Sequence, residues 1–377
     1  MAGLYIHIPF CSHACPYCDF SFELLKDGQV DRLLSALENE AEYRSQESPW
    51  PDSIINTIFL GGGTPTCLTE RQFERVFRMI YQYFHIEPNA EITVEANPET
   101  VTISKLKQLC SFGVNRLSIG VQSFSDDILV QLGRRHTADQ AVQATKLARD
   151  VGFANINIDL MFGVPGQIDL DWSNTLDCTV SLAPEHVSIY GLTIEPGTVF
   201  AKRREDSQLD LPDEALQVGY YYQAIDRLTA VGYQHYEISN LSKPGDECMH
   251  SLSCWNGNNY LGLGPSAHSH TRGRRFANIR RLVDYLSAIE GRGQAIDLDE
   301  TLTNEERIHE HILLNLRSIK GLDILAFREH YGAEAMEKRA SAIHALTEEG
   351  LLEKHGSQFR LTRRGLALAD SVCEYLM

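Results

Sequence analysis

The sequence predicts an α/β protein, with a partial (β/α)6 barrel followed by a small winged-helix-like α+β domain. Short β-branched runs recur through the first two hundred residues, and the stretches between them are long enough for crossover helices. Six such runs stand out, two fewer than a closed eightfold barrel requires. Beyond residue 301 the pattern becomes helical and is interrupted by one short hairpin.

Composition limits the possible classes of protein. The 377 residues are 43% hydrophobic and 23% charged, which fits one large folded domain with a smaller one attached. Lys and Arg number 34 against 51 Asp and Glu, giving 34 − 51 = −17, and such a charge disfavours nucleic acid as a partner. The amino terminus lacks the features of an export signal, and no apolar run reaches the roughly 18 residues of a membrane span. We therefore expect a cytoplasmic protein without a transmembrane segment, whose nine cysteines are thiols or ligands and not disulfides.

The elements of the barrel follow from periodicity. The predicted strands cover residues 4–8, 57–60, 91–95, 116–120, 155–160 and 186–192. The predicted amphipathic helices cover residues 30–44, 69–84, 103–112, 138–151, 172–182 and 212–231. This pattern assigns residues 1–232 to the barrel.

The rest of the chain divides into two further units. Residues 233–300 are rich in Gly, Asn, Ser and His at their start and are predicted to be an irregular connecting region. Residues 301–377 predict helices at 303–316, 324–331 and 333–346, a hairpin at 351–361 and a last helix at 362–376. This third unit holds 10 Lys plus Arg and 12 Asp plus Glu, or 10 − 12 = −2, which favours a scaffolding role over DNA binding.

The first candidate site is the cysteine cluster that follows the first predicted strand. Cys11, Cys15 and Cys18 have C-x3-C-x2-C spacing in FCSHACPYCDF. One buried helical stripe would have the same spacing, but Pro16 would cost about 3 kcal/mol inside a helix. An irregular loop that directs three thiolates inward indicates a metal site.

The metal could be zinc or iron. Zinc would need a fourth ligand, for which His7, His13, Cys248 or Cys254 could compete. An iron–sulfur cluster held by only three cysteines would keep one iron open to a small ligand. The residues favour the cluster over zinc and over simple packing.

The cysteine spacing, with an aromatic residue before the third cysteine, resembles the radical S-adenosylmethionine (SAM) superfamily. The resemblance implies a [4Fe-4S] cluster on Cys11, Cys15 and Cys18, with SAM bound at the fourth iron. The phrase YIHIPFC is similar to the branch that contains oxygen-independent coproporphyrinogen III dehydrogenase and the HemW-type haem chaperones. This resemblance covers nearly the whole chain.

Polar residues near the ends of successive predicted strands form the second candidate site. GGGTP follows the second strand, Glu95 ends the third, Gln122 follows the fourth and Asp159 lies in the fifth, so all would meet at the catalytic rim of a parallel barrel. A glycine triplet or a solvated carboxylate is weak evidence when taken alone. The resemblance implies that SAM is contacted by Gly62, Gly63, Thr64, Glu95, Gln122, Arg134 and Asp159, with Tyr5 and Tyr17 packed nearby.

Three members of the branch remain open. The dehydrogenase normally carries an N-terminal substrate segment and a fourth cysteine two positions after the third, where this chain has Phe20. A radical SAM methylase is the second possibility. A HemW-type chaperone, which delivers haem to client proteins such as respiratory enzymes, agrees best with the length, with Cys18-Asp19-Phe20 and with the winged-helix-like tail.

The haem site is the departure from that pattern. HemW-type relatives usually carry His-Asn-x-x-Tyr-Trp in the connecting region, whereas this chain reads His250-Ser-Leu-Ser-Cys254-Trp255. Imidazole is a common axial ligand of haem iron, so we expect His250 to bind haem and consider Cys254 as a possible thiolate ligand. The alternative is a solvent-facing loop histidine with Trp255 packed on the barrel.

Overall fold

The computed structural model describes residues 2–26 and 28–377. The strands are β1 (Ala2–Ile8), β2 (Phe10–Cys11), β3 (Glu23–Leu24), β4 (Ile54–Gly62), β5 (His85–Ala96), β6 (Arg116–Gln122), β7 (Asn155–Phe162), β8 (His186–Gly191), β9 (Gln234–Glu237), β10 (Asn240–Ser242), β11 (Asn259–Leu263), β12 (His268–Thr271), β13 (Arg274–Asn278), β14 (Ile296–Thr301), β15 (Leu322–Asp323), β16 (Leu352–His355) and β17 (Gln358–Leu361).

The helices are α1 (Gln29–Ser45), α2 (Glu70–Tyr83), α3 (Ile103–Ser111), α4 (Asp126–Gln131), α5 (Ala138–Val151), α6 (Asp169–Leu182), α7 (Val199–Glu205), α8 (Glu214–Ala230), α9 (Met249–Trp255), α10 (Leu282–Arg292), α11 (Asn304–Arg317), α12 (Ile324–Tyr331), α13 (Ala333–Glu337), α14 (Ala340–Glu348), α15 (Arg363–Leu366) and α16 (Ala369–Leu376). Short 3₁₀ helices lie at Trp50–Asp52, Pro65–Cys67 and Pro98–Thr100.

The large sheet has twelve strands in the order β14-β13-β12-β11-β1-β4-β5-β6-β7-β8-β10-β9. The six strands predicted from the sequence are confirmed as β1 and β4 to β8, and they pair in parallel and in chain order. A seventh parallel strand, β11, pairs with the free side of β1 and was not predicted. Antiparallel strands extend the sheet at both ends. The predicted fold class, an α/β partial barrel, is thus confirmed.

The six predicted barrel helices are also confirmed, as α1, α2, α3, α5, α6 and α8. Their starts are fixed locally: Thr69 and Thr137 each form a capping box with the glutamine three residues later, which satisfies backbone donors of the first turn. The expectation of an irregular connecting region over 233–300 was wrong. That segment forms β9 to β14, α9 and α10, because pairing with β1 and β8 supplies the hydrogen bonds that its Gly-rich composition does not suggest.

Alternation along the strands divides the barrel into an apolar outer layer and a polar interior. On β1, Leu4, Ile6 and Ile8 are fully buried against the surrounding helices, whereas Tyr5 and His7 lie on the opposite face of the strand. The same alternation on β7 separates Ile156, Ile158 and Leu160 from the polar residues between them. Polar side chains are therefore directed into the lumen of the barrel.

A buried polar network joins α1 to α10 and to the strands beside it. The Glu40 carboxylate accepts hydrogen bonds from the Tyr285 hydroxyl at 2.6 Å, the Asn278 amide at 2.6 Å and the Gly264 backbone N–H at 2.8 Å. Burial raises the pKa of Glu40, and these three donors oppose that effect. The network ties the segment after residue 259 to the amino-terminal half of the barrel.

The C-terminal residues have a core of their own around Ile308, Phe327, Leu352 and Val372. Helices α11 to α16 surround a three-stranded sheet of order β15-β17-β16, in agreement with the predicted winged-helix-like α+β unit. The boundaries 1–232, 233–300 and 301–377 remain our proposed division of the chain. None of the helices in residues 2–26 and 28–377 has the length and apolar character needed to cross a membrane.

Candidate functional site

The predicted site residues other than Tyr5 and His250 come together at the carboxyl ends of the parallel strands. Two neighbouring cavities lie there, of about 410 Å³ and about 150 Å³. We call them the lumen cavity and the cysteine cavity. Tyr17, Cys18, Glu95, Gln122 and Asp159 line both. The rim position expected for a parallel barrel is therefore observed.

The cysteine loop is irregular, as Pro16 indicates. Its only strand segment is β2, which pairs in parallel with β3. Cys11, Cys15 and Cys18 all line the cysteine cavity. The Thr64 hydroxyl donates to Cys11 Sγ at 3.7 Å, and the Arg134 guanidinium donates to Cys15 Sγ at 3.9 Å.

The chemistry of this donor set fits a metal cluster. Burial raises the pKa of the Cys11 thiol to about 12, and burial also raises the pKa of Cys18. Thiolates in such a place need a cation to balance them, and iron supplies it. Within residues 2–26 and 28–377, no three His, Cys, Asp or Glu side chains are arranged around a single metal ion. A [4Fe-4S] cluster spreads its thiolate ligands over separate iron atoms.

A fourth cysteine, Cys67, lies beside the loop and was missed by the sequence reading. The 3₁₀ helix Pro65–Cys67 packs on β2, and the negative charge of a Cys67 thiolate would raise the pKa of Cys11 further. Of the proposed zinc ligands, His13 has its Nε2 at 3.7 Å from Cys15 Sγ. The separation of 56 residues between Cys11 and Cys67 gives no local sequence signal.

The glycine turn is required by packing against the cysteine loop. A Cβ on Gly62 would lie 2.6 Å from the His7 ring, and one on Gly63 would lie 2.7 Å from the Phe10 carbonyl oxygen. Gly62 also has φ 115°, which favours glycine. These glycines let β4 end directly beside the cysteines, and they place Thr64 against Cys11.

Glu95 lies at the junction of the two cavities. One carboxylate oxygen accepts the Gly62 backbone N–H at 3.0 Å. Burial, and then the nearby Asp159 carboxylate, raise the pKa of Glu95 to about 8. A carboxyl group with such a pKa is a candidate for binding a cationic or hydroxylated ligand.

Asp159 belongs to a polar network in the lumen. It accepts from the Asn157 amide at 2.7 Å and from the Ser118 hydroxyl at 3.3 Å. Asn157 in turn accepts from His186 Nδ1 at 2.6 Å and from the Ser188 hydroxyl at 3.1 Å. Burial raises the pKa of Asp159, while these donors oppose that effect and fix the orientation of the carboxylate.

Gln122 and Arg134 are held in defined positions at the rim. Gln122 has φ 68°, a left-handed conformation that non-glycine residues adopt at an energetic cost and that is common at functional sites. Arg134 donates to the Asn97 side-chain oxygen at 2.6 Å and to the Gly120 carbonyl at 2.9 Å. Arg134 therefore lines the cysteine cavity and is not a residue of an exposed helix surface.

The two predicted tyrosines have different surroundings. Tyr17 lines both cavities and packs near Phe200, with ring centroids 6.3 Å apart. Tyr5 points into the interior, where its hydroxyl is 2.9 Å from His7 Nδ1. Because His7 Nε2 donates to the Ser21 carbonyl at 2.8 Å, Nδ1 accepts a hydrogen bond from the Tyr5 hydroxyl, and burial lowers the pKa of His7. Tyr5 thus supports the loop through His7.

His250 does not lie with the other predicted residues. It lies on α9, is only 7% exposed, and has its Nδ1 2.9 Å from the Thr57 hydroxyl. Its ring packs near Phe59, and Gly3 lies under it. The solvent-facing loop interpretation is wrong, because the segment is helical and covers the amino ends of β1 and β4.

The lumen contains further polar groups that the sequence did not indicate, chiefly Arg116 and His186, and Cys248, considered above only as a zinc ligand, lines it too. His186 is hydrogen-bonded at both ring nitrogens, to Asn157 and, at 2.7 Å, to the Tyr236 hydroxyl. Burial lowers its pKa well below the usual range, so the ring is neutral. Alternation on β6 and β8 could have placed Arg116 and His186 inside, but no motif marks them.

The fold and the rim site define a radical SAM protein. Residues 5–178 match the family model of the Radical SAM superfamily, and residues 302–368 match that of the HemN C-terminal domain. The structure of the coproporphyrinogen III oxidase HemN of Escherichia coli, a radical SAM enzyme, superposes with a TM-score of 0.87 at 26% identity. The match covers 100% of this chain and 89% of that one.

Curated relatives narrow the class further. The heme chaperone HemW of Bacillus subtilis is 38% identical over 375 residues, covering 99% of this chain and 98% of that protein. HemW of Mycobacterium tuberculosis (strain H37Rv) is 35% identical, covering 100% and 94%. HemW of Escherichia coli is 41% identical, covering 71% and 69%. The chain belongs to the HemW family of heme chaperones within the radical SAM superfamily, a fold that implies a [4Fe-4S] cluster and SAM.

Proposed function

We propose that this chain holds a [4Fe-4S] cluster on Cys11, Cys15 and Cys18, binds SAM beside it and delivers haem to client proteins such as respiratory enzymes. The observation that carries the proposal is the convergence of the cysteine loop and the carboxylates of Glu95 and Asp159 at one rim. The full-length similarity to curated heme chaperones supports the haem function.

Each residue of the rim has a separate role in the proposed site. When bound, the cluster supplies one-electron chemistry and an open iron for SAM. Arg134 holds Cys15 by its hydrogen bond and would offset the negative charge of the thiolate. Glu95 and Asp159 accept hydrogen bonds from the hydroxyl or ammonium groups of SAM, while Gln122 presents an amide at the cavity wall.

Haem binding at His250 is part of the proposal and requires movement. Burial, followed by nearby Arg116, lowers the pKa of His250 to about 4, so the neutral imidazole is available to iron at physiological pH. Because the His250 ring is packed between its own helix, α9, and the side chains of Thr57 and Phe59, haem can reach it only when α9 moves away from those two residues. Cys254 on the same helix would then offer a second ligand.

The haem site is tested by titrating haem into the anaerobically reconstituted chain and its variants. We expect His250→Ala to weaken binding and to change the haem spectrum, while His268→Ala, an exposed histidine, serves as the matched control. Cys254→Ala should matter only if the thiolate binds iron. Identical titrations for wild type, His250→Ala and the His250→Ala/Cys254→Ala double variant would exclude this segment as the site.

The second candidate function is oxidative decarboxylation of coproporphyrinogen III, favoured by the similarity to the HemN structure over the whole chain. Against it, Phe20 stands where that enzyme carries a further cysteine, and its ring is 69% exposed at the mouth of both cavities. Anaerobic incubation with SAM, a reductant and coproporphyrinogen III separates the two. We expect no decarboxylation, and sustained carbon dioxide release over many turnovers would establish the enzyme instead.

A further inference from the structure

Arg116 is a buried cation in the barrel lumen. It is the first residue of β6 and is 3% exposed. Its Nε is buried without a hydrogen-bond partner within the part of the chain that the structure describes. Burial opposes the charge of the guanidinium, but the nearby Cys248, Glu91, Tyr236 and Asp159 side chains outweigh burial and raise the pKa of Arg116, so the group is a cation. A buried donor without an acceptor is costly, so the unpaired Nε needs a reason.

The nearest acidic side chains are already engaged. Glu91 accepts the backbone N–H groups of Met249 and His250, both at 2.9 Å, at the start of α9. Asp159 accepts from its neighbours on β6 and β7. Both carboxylates act on Arg116 through space, since their charges raise the pKa of the guanidinium, but neither accepts a hydrogen bond from its Nε.

Arg116 forms the floor of the lumen cavity. The mouth of that cavity, lined by Cys18 and Gln122, is at the opposite end of β6. Six residues separate Arg116 from Gln122, a rise of about 20 Å in a strand. A ligand that enters beside the cysteines can therefore extend down the lumen to Arg116.

Charged side chains are distributed unevenly along the lumen cavity. Asp19 and Glu195 lie at the mouth, Glu95 and Asp159 lie between, and Arg116 is the cation at the floor. A further cavity of about 420 Å³ lies on the other side of Arg116, and Glu87, Glu91 and Glu247 line it. Carboxylates therefore flank both approaches to Arg116, and a ligand that reaches it from the rim must carry its anionic group past Asp159 on an arm that is not itself anionic.

We propose that Arg116 is a carboxylate-binding group at the floor of the lumen, so that the ligand of this cavity carries a carboxylate on an arm that reaches past Asp159. The planar guanidinium binds a carboxylate through two parallel hydrogen bonds, which lysine cannot reproduce. The inference goes beyond the proposed function and holds whether or not SAM or haem is the main ligand.

The test uses the full chain with its reconstituted cluster and sodium propionate as the probe. Saturation-transfer NMR and thermal unfolding are measured with propionate and with sodium chloride at the same ionic strength. The variants are Arg116→Met, Arg116→Lys and, as a matched control, Arg281→Met, which removes an arginine whose side chain is 77% exposed.

Wild type and Arg281→Met should bind propionate saturably and unfold at a higher temperature when it is bound. Arg116→Lys should bind propionate at least about tenfold more weakly, because lysine cannot form the two parallel hydrogen bonds of a guanidinium. Arg116→Met should show no propionate-dependent change, because the guanidinium that binds the carboxylate is gone.

Three results would overturn the proposal. Equal propionate binding by wild type and Arg116→Lys, or no binding by wild type, would leave Arg116 as a diffuse counter-charge for the acidic groups around it. A larger stabilisation by inorganic phosphate than by propionate would reject the carboxylate class. Arg116→Lys keeps the positive charge, so the comparison remains informative if Arg116→Met fails to fold.

Discussion

Replacing Glu95 with glutamine tests the SAM pocket through the pH dependence of binding. The pKa of Glu95 is raised to about 8 in the ligand-free protein, so its carboxyl group is mostly protonated at pH 7. SAM is a cation and is bound best by the ionised carboxylate. Binding must therefore remove a proton from Glu95, and wild-type affinity should rise with pH until the carboxyl group is ionised before SAM arrives.

The magnitude follows from the pKa. Each pH unit below the pKa costs about 1.4 kcal/mol, or a factor of ten in affinity. Between pH 6 and pH 9 the wild-type affinity should therefore rise roughly a hundredfold from this group alone. Glu95→Gln keeps the shape and cannot ionise, so it should lose this pH dependence. At pH 9 it should bind SAM about ten- to a hundredfold more weakly, since hydrogen bonds to charged groups contribute about 1.5–3 kcal/mol.

The assay is anaerobic calorimetry of the reconstituted protein in buffers of different ionisation enthalpy. The SAM ammonium group titrates too, but it does so equally for wild type and variant, and the difference between them isolates Glu95. We expect the two proteins to differ little at pH 6 and most at pH 9. A difference that stays constant from pH 6 to pH 9 would refute the assignment of Glu95 to the cation.

Two further predictions concern the cluster and the buried network. Cys15→Ser should lose iron and sulfide after anaerobic reconstitution, whereas Cys178→Ser, on α6 away from the rim, should retain both. Stoichiometric zinc without sulfide in the wild type would contradict the cluster. Glu40→Ala should lower the free energy of unfolding by about 3–5 kcal/mol, because it leaves three buried donors without an acceptor. Glu38→Ala, which removes a partly exposed ion pair, should cost about 1 kcal/mol or less in the same denaturant titration. Equal losses for the two variants would show that the network does not stabilise the fold.

The parallel strands of the barrel could be predicted because each is a local β-branched run. The strand β11 was missed because its sequence, NYLGL, lies among glycines and asparagines. Its regularity comes from pairing with β1, more than 250 residues away. Local propensity carries no information on such a contact, and tertiary context decided the outcome.

The rim residues likewise divide into those that local sequence predicts and those that only packing reveals. The cysteine loop and GGGTP were found because they are short motifs with fixed spacing. The proximity of Cys67 to Cys11 and the buried position of His250 depend on how separate elements pack. The placement of Arg116 could have followed from alternation, but the lack of an acceptor for its Nε is a property of the whole lumen. Sequence therefore located the chemistry of the rim and not the depth of the cavity beneath it.

The structure separates the cluster from the proposed haem ligand by the length of the barrel. The cysteines lie beyond the carboxyl end of β1, and His250 lies over Gly3 at its amino end. Five residues of strand separate Gly3 from Ile8, a distance of about 17 Å. The open iron and an iron bound to His250 would therefore lie at opposite ends of the barrel. Coupling between the two sites then requires a change in the barrel. Helix α9 is placed to transmit that change, because Cys248 and Ser251 at α9 form part of the lumen wall while His250 faces β1 and β4. Haem affinity, measured with and without SAM in wild type and in Glu95→Gln, would give a coupling free energy for each protein. SAM affinity measured with and without haem must give the same value.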